Sequence, residues 1–195
     1  RQVVALSTDK AANPVNLYGA SKLGMEKLFV AANSYVGKGE TRFDLVRYGN
    51  VVGSKGSVVP LFLRQREEGA LTLTEPSMTR FWIGMERAID LVMLALQEGS
   101  GGDVFIPKIP ACTVEALADA IAPDAPKKVI GIRPGEKLHE VLITEDEARS
   151  VVEFDRYYII QPKFPWWGDV AREGGKPVPE GFRYSSDITQ RLDAE

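Results

Sequence analysis

The protein has 195 residues, of which 44% are hydrophobic and 26% charged, and 24 Lys and Arg against 27 Asp and Glu give a net charge of -3. These values are typical of a globular protein with a substantial core, and they argue against a general polyanion binder such as a nucleic-acid-binding protein. One cysteine and one histidine exclude an internal disulfide and leave no Cys/His cluster for a zinc ion, so no metal site is expected.

The hydrophobic pattern predicts strands that alternate with helices. A short apolar run over 3–6 predicts a buried strand. Apolar residues at helical spacing predict a long helix over 17–36 that ends at Gly37 and Gly39, and the next strand is predicted over 43–48. Further helices are predicted over 58–68, 85–98, 113–121, 136–142 and 145–149, and further strands over 71–73, 79–83, 104–106, 129–132 and 157–160. This alternation indicates an α/β sheet.

Two features at the beginning of the chain suggest a fragment. The sequence opens on Arg1 in an apolar run, without an initiator Met, and the Gly-x-Gly-x-x-Gly turn that opens a dinucleotide-binding sheet does not occur in it. Either the protein binds no dinucleotide, or the glycine-rich half lies upstream. No apolar run approaches the roughly 20 residues that cross a bilayer, so we expect a cytoplasmic protein with no membrane partner.

The pattern that carries chemistry is a tyrosine and a lysine four residues apart. Tyr18 and Lys22 share one face of the predicted helix, and a nearby ammonium lowers the pKa of a phenol, which prepares it to remove a hydroxyl proton. Ser7 or Thr8, at the end of the preceding strand, is placed to hydrogen-bond the same hydroxyl. A chance Tyr-x-x-x-Lys is common in helices, and only the polar strand end upstream favours the functional interpretation.

Six motifs together resemble the extended short-chain dehydrogenase/reductases that act on nucleotide sugars, and within them the inverting UDP-N-acetylglucosamine 4,6-dehydratases. The motifs are 7–11 (Ser-Thr-Asp-Lys-Ala), 18–22 (Tyr-Gly-Ala-Ser-Lys), 47–54 (Arg-Tyr-Gly-Asn-Val-Val-Gly-Ser), 78–83 (Met-Thr-Arg-Phe-Trp-Ile), 133–140 (Arg-Pro-Gly-Glu-Lys-Leu-His-Glu) and 184–187 (Tyr-Ser-Ser-Asp). The resemblance implies the C-terminal part of a Rossmann-like, doubly wound parallel sheet over 1–60 and a small α/β substrate-binding region, mainly over 61–195, with the chain crossing back between them.

The resemblance also implies a set of catalytic residues. Tyr18 would act as the base and Lys22 would support it while NADP, or alternatively NAD, takes a hydride from the sugar. Thr8 would bind the reacting hydroxyl. Asp9 and Lys10 would supply the acid and the base for loss of water, and either assignment of the two roles is open. By itself, the Asp9–Lys10 pair is more often a solvated loop pair.

The binding residues are assigned by the same resemblance. Tyr18, Lys22, Tyr48, Gly49 and Val51 would contact the cofactor. A UDP-sugar would be held by Asn50, Arg80, Arg133 and Glu136. Each of these has an alternative as a surface charge or a turn residue, and the Arg133–Glu136 block is the most specific because Pro and Gly shape the turn that presents both charges.

Several alternatives stay open. His139, in the predicted helix over 136–142, is interpreted as a packing or surface residue, and Cys112, at the start of the predicted helix over 113–121, as a structural residue. Trp166 and Trp167 are interpreted as core or subunit contacts. The chain as a whole would be a 4,6-dehydratase in surface polysaccharide or pseudaminic acid synthesis, a UDP-hexose 4-epimerase, or a catalytically silent fragment that binds nucleotide sugar or only assembles. The resemblance implies a homo-oligomer, and a separate N-terminal half of the same enzyme is a further candidate partner.

Overall fold

A computed structural model describes residues 1–36, 41–54, 56–163 and 172–192. The predicted helix end at Gly37 and Gly39 and the Trp166–Trp167 pair lie outside these ranges. The chain divides into two compact units, each assembled from three segments. The first unit is Arg1–Tyr48, Glu86–Lys108 and Val141–Tyr184, and the second is Gly49–Met85, Ile109–Glu140 and Ser185–Glu195.

Thirteen strands, five α-helices and one 3-10 turn are formed by the described residues. In chain order they are β1 (Gln2–Thr8), the 3-10 turn (Asp9–Ala11), α1 (Leu17–Val36), β2 (Arg42–Tyr48), β3 (Asn50–Val51), α2 (Val58–Glu68), β4 (Leu71–Leu73), β5 (Thr79–Ile83), α3 (Met85–Glu98), β6 (Val104–Pro107), β7 (Ala111–Thr113), α4 (Val114–Ile121), β8 (Lys127–Val129), β9 (Val141–Ile143), α5 (Glu145–Ala148), β10 (Val151–Glu153), β11 (Tyr157–Ile160), β12 (Lys176–Pro177) and β13 (Tyr184–Ser185).

The first unit is built on a six-stranded sheet in the order β1-β2-β6-β11-β10-β12. Strands β1, β2 and β6 are parallel, and β11 and β10 extend the sheet in antiparallel fashion. Phe43 of β2 contacts Phe29 of α1, with ring centroids 5.9 Å apart, whereas Val46 of the same strand packs with Leu91 and Ala95 of α3. Since successive side chains of a strand point to opposite faces, α1 and α3 cover opposite faces of the sheet, as a doubly wound fold requires.

The second unit has two small sheets and two helices. Its three-stranded sheet has the order β3-β5-β7, and β4 pairs with β8 in parallel. A core of buried apolar side chains joins α2 and α4 to β4: Phe62, Leu71, Leu73, Met78, Val114, Ala118 and Ala122. Thr113 caps α4, as predicted, because its side chain accepts a hydrogen bond from the Ala116 amide.

Two predicted elements are wrong. Residues 136–142 form no helix, because their backbone groups bond to partners remote in the sequence: the Leu138 carbonyl accepts from the Thr79 amide, and the Glu140 amide donates to Ser186 Oγ at 2.8 Å. The strand predicted over 129–132 is displaced to 127–129, because Gly131 adopts a φ of 86°, which ends extended structure.

Cys112 is placed differently from the prediction as well. It lies in β7 rather than at the start of a helix, and its side chain is buried. Burial raises the pKa of its thiol. The α/β class, α1, and the helices over 58–68, 85–98 and 145–148 agree with the predictions. No helix among the described residues is both long and apolar enough to span a bilayer.

Candidate active site

The end of β1 turns directly into a charged pair. Thr8 is extended and accepts a hydrogen bond from the Lys10 amide, which starts the 3-10 turn. Asp9 Oδ1 accepts hydrogen bonds from Thr8 Oγ1 at 2.9 Å and from Lys10 Nζ at 3.0 Å. The Asp9 side chain is fully buried and that of Lys10 is 33% exposed. A carboxylate and an ammonium are thus held in contact at the carboxyl end of β1.

The second oxygen of Asp9 is buried and unpaired. Asp9 Oδ2 has no hydrogen-bond partner among the described residues. A buried polar atom without a partner loses about 1–3 kcal/mol relative to a satisfied one, so such atoms in proteins call for an explanation. This atom can carry a proton or accept one hydrogen bond from a bound molecule.

Helix α1 presents the tyrosine and the lysine beside this turn. Asn16 begins the helix, because its side-chain oxygen accepts a hydrogen bond from the Gly19 amide at 2.8 Å. Lys22 Nζ donates to the Leu6 carbonyl of β1 at 3.2 Å, which places the lysine over the strand. The Tyr18 side chain is about half exposed, at 53%, and is therefore accessible to a ligand.

Gly19 brings the first turn of α1 against the charged pair, and the sequence analysis did not single it out. A Cβ at Gly19 would lie 2.4 Å from the Lys10 carbonyl oxygen and 3.0 Å from Pro14 Cβ. Helix and 3-10 turn are therefore in direct backbone contact. The sequence signal that could have predicted this contact is the glycine directly after Tyr18 in the motif.

Ser7 and Thr8, the predicted alternatives for binding the reacting hydroxyl, are both hydrogen-bonded within the fold. The Ser7 hydroxyl donates to Glu26 Oε1 at 2.5 Å, and the Thr8 hydroxyl donates to Asp9 Oδ1 at 2.9 Å in the charged pair. Glu26 and its partner Arg47 were also missed, because both are buried and nothing in a single sequence reveals that they meet. Tyr48 pairs with Thr8 in the register of β1 and β2, and burial raises the pKa of its phenol.

The remaining cofactor candidates, Gly49 and Val51, lie in the second unit, with the substrate candidate Asn50 between them. Asn50 and Val51 form β3 and pair with Trp82 and Ile83 of β5. A Cβ at Gly49 would lie 2.4 Å from Phe81 Cβ. Close packing against β5 therefore accounts for this glycine without a ligand.

Arg80 is engaged by the backbone of the second unit. Its guanidinium donates to the carbonyl oxygens of Lys137 at 3.1 Å and Leu138 at 3.3 Å, and its Nε lies 3.9 Å from Glu140 Oε1. These bonds hold the segment that follows residues 133–136 against β5. The geometry favours a supporting position for Arg80 over an open cation.

Arg133, by contrast, is displayed on a tight turn. The Glu136 amide donates to the Arg133 carbonyl at 3.1 Å, and Gly135 has a φ of 83°, the conformation that follows proline in a type II turn. The Arg133 side chain is 63% exposed, and its Nη1 lies 4.0 Å from Glu136 Oε1. An exposed guanidinium on a rigid turn is suited to bind phosphate oxygens.

His139 takes part in a hydrogen-bond chain of the second unit. Its Nδ1 lies 2.8 Å from Thr79 Oγ1, which in turn lies 2.6 Å from Ser186 Oγ. This arrangement agrees with the interpretation of His139 as a packing residue.

Among the described residues, no group of three or more His, Cys, Asp or Glu side chains is arranged to hold a metal ion.

A sheet whose strands β1, β2 and β6 are parallel and have helices on both faces, and a Tyr-x-x-x-Lys helix beside the end of β1, are features of the Rossmann-type short-chain dehydrogenase/reductase fold. The chain belongs to the polysaccharide biosynthesis protein family, whose sequence model matches residues 1–162. The fold expected from the sequence is thereby confirmed.

Two relatives and one solved structure are similar to nearly the whole of this chain. The chain is 49% identical, over 96% of its length, to the inverting UDP-N-acetylglucosamine 4,6-dehydratase of Campylobacter jejuni, and 42% identical, over its whole length, to the UDP-glucose 4-epimerase of Rickettsia rickettsii. It spans 59% of the length of each of these relatives. The X-ray structure of Pen from Bacillus thuringiensis superposes with a TM-score of 0.89 at 35% identity, covering 99% of this chain and 60% of that one.

Proposed function

We propose that this chain carries the catalytic residues of a sugar-nucleotide 4,6-dehydratase that acts on UDP-N-acetylglucosamine with inversion at carbon 5, in surface polysaccharide or pseudaminic acid synthesis. The observation that carries the proposal is the Asp9–Lys10 pair, held at 3.0 Å beside the Tyr18–Lys22 helix. Removal of water from a sugar needs an acid and a base in addition to the groups that handle the hydride. The similarity to the Campylobacter jejuni dehydratase supports this assignment.

The residues of the first unit fit a nicotinamide cofactor with a sugar bound beside it. Tyr18 is accessible, Lys22 is held over β1, and the buried Asp9 Oδ2 lacks a partner among the described residues. When bound, NADP or NAD would supply the hydride acceptor for carbon 4 of the sugar and the hydride donor for carbon 6. Tyr18, Lys22 and Tyr48 are the residues of the first unit proposed to hold it, and Gly49 and Val51 of the second unit are proposed to contact it.

Tyr18 is proposed to remove the proton of the hydroxyl at carbon 4. Its phenol is about half exposed, and Lys22 lies one helical turn further along the same face. Lys22 is proposed to support Tyr18 from that position. Thr8 Oγ1, at the end of β1, is proposed to hydrogen-bond the same hydroxyl.

The charged pair is proposed to carry out the elimination. A keto group at carbon 4 acidifies the hydrogen on carbon 5, which one member of the pair removes while the other protonates the departing hydroxyl on carbon 6. Asp9 has a buried oxygen that can hold the acidic proton, so we assign Asp9 as the acid and Lys10 as the base. The pair must then react as a neutral Lys10 and a protonated Asp9, a state that transfer of one proton from the ammonium to the carboxylate provides.

The second unit is proposed to bind the UDP moiety. Arg133 is the open cation for the diphosphate, and Glu136 is placed on the same turn to accept from ribose hydroxyls. Asn50 and Arg80 complete the proposed set, Arg80 chiefly by holding the segment that bears the turn. A cytoplasmic homo-oligomer is the assembly in which we expect this enzyme.

The proposal is tested by product analysis. Native mass spectrometry first establishes whether a dinucleotide, or a second polypeptide that binds it, accompanies the chain. The complete protein is then incubated with UDP-N-acetylglucosamine, and a product lighter by one water is expected. Tyr18→Phe should lower turnover at least about 100-fold because the proton acceptor is lost, while Tyr35→Phe, an exposed tyrosine of the same helix, should not change it. Full activity of Tyr18→Phe would overturn the mechanism.

A UDP-hexose 4-epimerase is the second candidate, favoured by the similarity to the Rickettsia rickettsii enzyme. Its product has the same mass as its substrate, so the same measurement separates the two activities. Absence of both activities from a preparation with bound dinucleotide would instead support a silent binding module.

A further inference from the structure

Arg47 forms the centre of a buried ionic network in the first unit. The residue is 1% exposed, and its guanidinium has five hydrogen bonds, the full number of its donors. Nε and Nη2 donate to the two oxygens of Glu26 at 2.9 and 2.5 Å, and Nη1 donates to the Leu142 carbonyl at 2.9 Å. The other two bonds reach Glu147 at 3.1 and 2.9 Å. Four elements are thereby joined: β2, α1, β9 and α5.

The Glu26 side of this network reaches β1 two residues before the charged pair. Ser7 Oγ donates to Glu26 Oε1 at 2.5 Å, and Ser7 lies two residues before Asp9 on β1. Tyr18, Lys22 and Glu26 follow one another at intervals of four residues, so they line one face of α1. Lys22 and Glu26 therefore attach that face to Leu6 and Ser7 of β1.

On its other side, the network reaches helix α5 through Glu147. Glu147 completes the capping box of α5 with Thr144, whose amide and hydroxyl each donate to Glu147 Oε2 at 3.0 Å. Burial alone would raise the pKa of Glu147, but the charge and hydrogen bonds of Arg47 outweigh it and the pKa is lowered. The two carboxylates thus share one guanidinium, while only Glu26 contacts β1.

We propose that Glu26 and Arg47 are positioning residues that fix the Tyr18–Lys22 face of α1 against the end of β1 that bears Thr8, Asp9 and Lys10. The chemistry needs the two pairs at one sugar ring, and a displacement of about 1 Å in a catalytic group lowers rates about 100-fold. The consequence for turnover rests on the proposed function, whereas the positioning itself does not.

The test compares Glu26→Gln with Glu147→Gln in the complete protein. Each variant removes one of the two charges that neutralise Arg47, so both should lower stability. Amide hydrogen exchange over 7–12 should become about tenfold faster in Glu26→Gln and change less than about twofold in Glu147→Gln, whose effect should be confined to 144–148. Equal acceleration of amide exchange over 7–12 in both variants would mean that the network only stabilises the fold in general. That result would overturn the proposal.

Turnover gives the second readout. Glu26→Gln should lower kcat about 10- to 100-fold with KM within about twofold, because the residue is buried and positions groups of the reaction without binding substrate. Ser7→Ala should lower kcat in the same direction and add little in the Glu26→Gln background. Unchanged kcat in a folded Glu26→Gln variant would overturn the proposal. If the wild-type protein transforms no sugar nucleotide, the proposed function fails, and the exchange comparison alone decides the positioning.

Discussion

Gly19 faces the carbonyl oxygen of Lys10 so closely that a Cβ built on the glycine would lie 2.4 Å from that oxygen. No real Cβ tolerates this approach to a backbone atom. The first turn of α1 and the 3-10 turn therefore touch through their backbones, and the separation of Tyr18 from Asp9 depends on the missing side chain.

Gly19→Ala should push α1 away from the 3-10 turn. We expect a loss of about 1–3 kcal/mol in the free energy of unfolding, as for overpacked sites, and a lower kcat. The matched control is Gly24→Ala on the same helix, where a Cβ meets nothing within 4 Å. That change should stabilise the protein by about 0.5–1 kcal/mol, since alanine favours a helix interior. Urea unfolding measures the stability change of each variant. Equal effects of the two substitutions would contradict the close contact between Gly19 and the Lys10 carbonyl.

Asp9→Asn should separate dehydration from substrate binding. The amide retains an oxygen for Thr8 but cannot deliver a proton, so dehydration should fall at least about 100-fold while the Kd for the UDP-sugar changes little. Asp155→Asn, in an exposed turn, serves as the control. Turnover is measured by product mass and Kd by calorimetry. Activity that survives Asp9→Asn with unchanged product mass would identify an epimerase.

Asp44 makes stability depend on pH in a direction opposite to that of most carboxylates. Burial and the nearby Asp103 raise its pKa from 3.8 to about 6, despite hydrogen bonds from the Asp103 and Gly101 amides. The folded chain therefore binds more protons than the unfolded chain between these values, so stability falls as the pH rises through this window and is flat above it.

Asp44→Asn should remove this dependence, because the amide is neutral throughout and retains an oxygen for the Gly101 and Asp103 amides. The free energy of unfolding of the variant relative to wild type should rise between pH 4 and 7 by up to about 3 kcal/mol. Urea titrations of both proteins at four pH values measure the difference, in which titrating groups that do not interact with Asp44 cancel. A difference that does not vary with pH would contradict the raised pKa.

Ser186→Ala should destabilise the second unit. The hydroxyl is buried, accepts a hydrogen bond from the Glu140 amide at 2.8 Å and lies 2.6 Å from Thr79 Oγ1. Its removal leaves a buried amide without a partner, which costs about 1–3 kcal/mol. Ser34→Ala, at an exposed position of α1, should change stability by less than about 0.5 kcal/mol. Thermal unfolding compares the two variants, and equal midpoints would contradict the role of Ser186.

Some features of the site depend only on local rules and were predictable. The helical period places Tyr18 and Lys22 on one face of α1, and Thr113 caps α4 because its side chain reaches an amide three residues away. The turn at Arg133 also follows from local chemistry, since proline and glycine favour its dihedral angles. The roles of these site residues in binding and catalysis remain predictions.

Other features depend on partners far along the chain. Glu26 and Glu147 meet at Arg47 across 21 and 100 residues of sequence, and residues 136–142 are drawn out of a helix by bonds to Thr79 and Ser186. The sequence by itself determined the α/β class, most of the elements and the Tyr-x-x-x-Lys face, because propensity and periodicity act over a few residues. Only the tertiary structure decided which buried charges pair, which backbone groups find partners and where a glycine is needed, because these depend on the packing of distant segments.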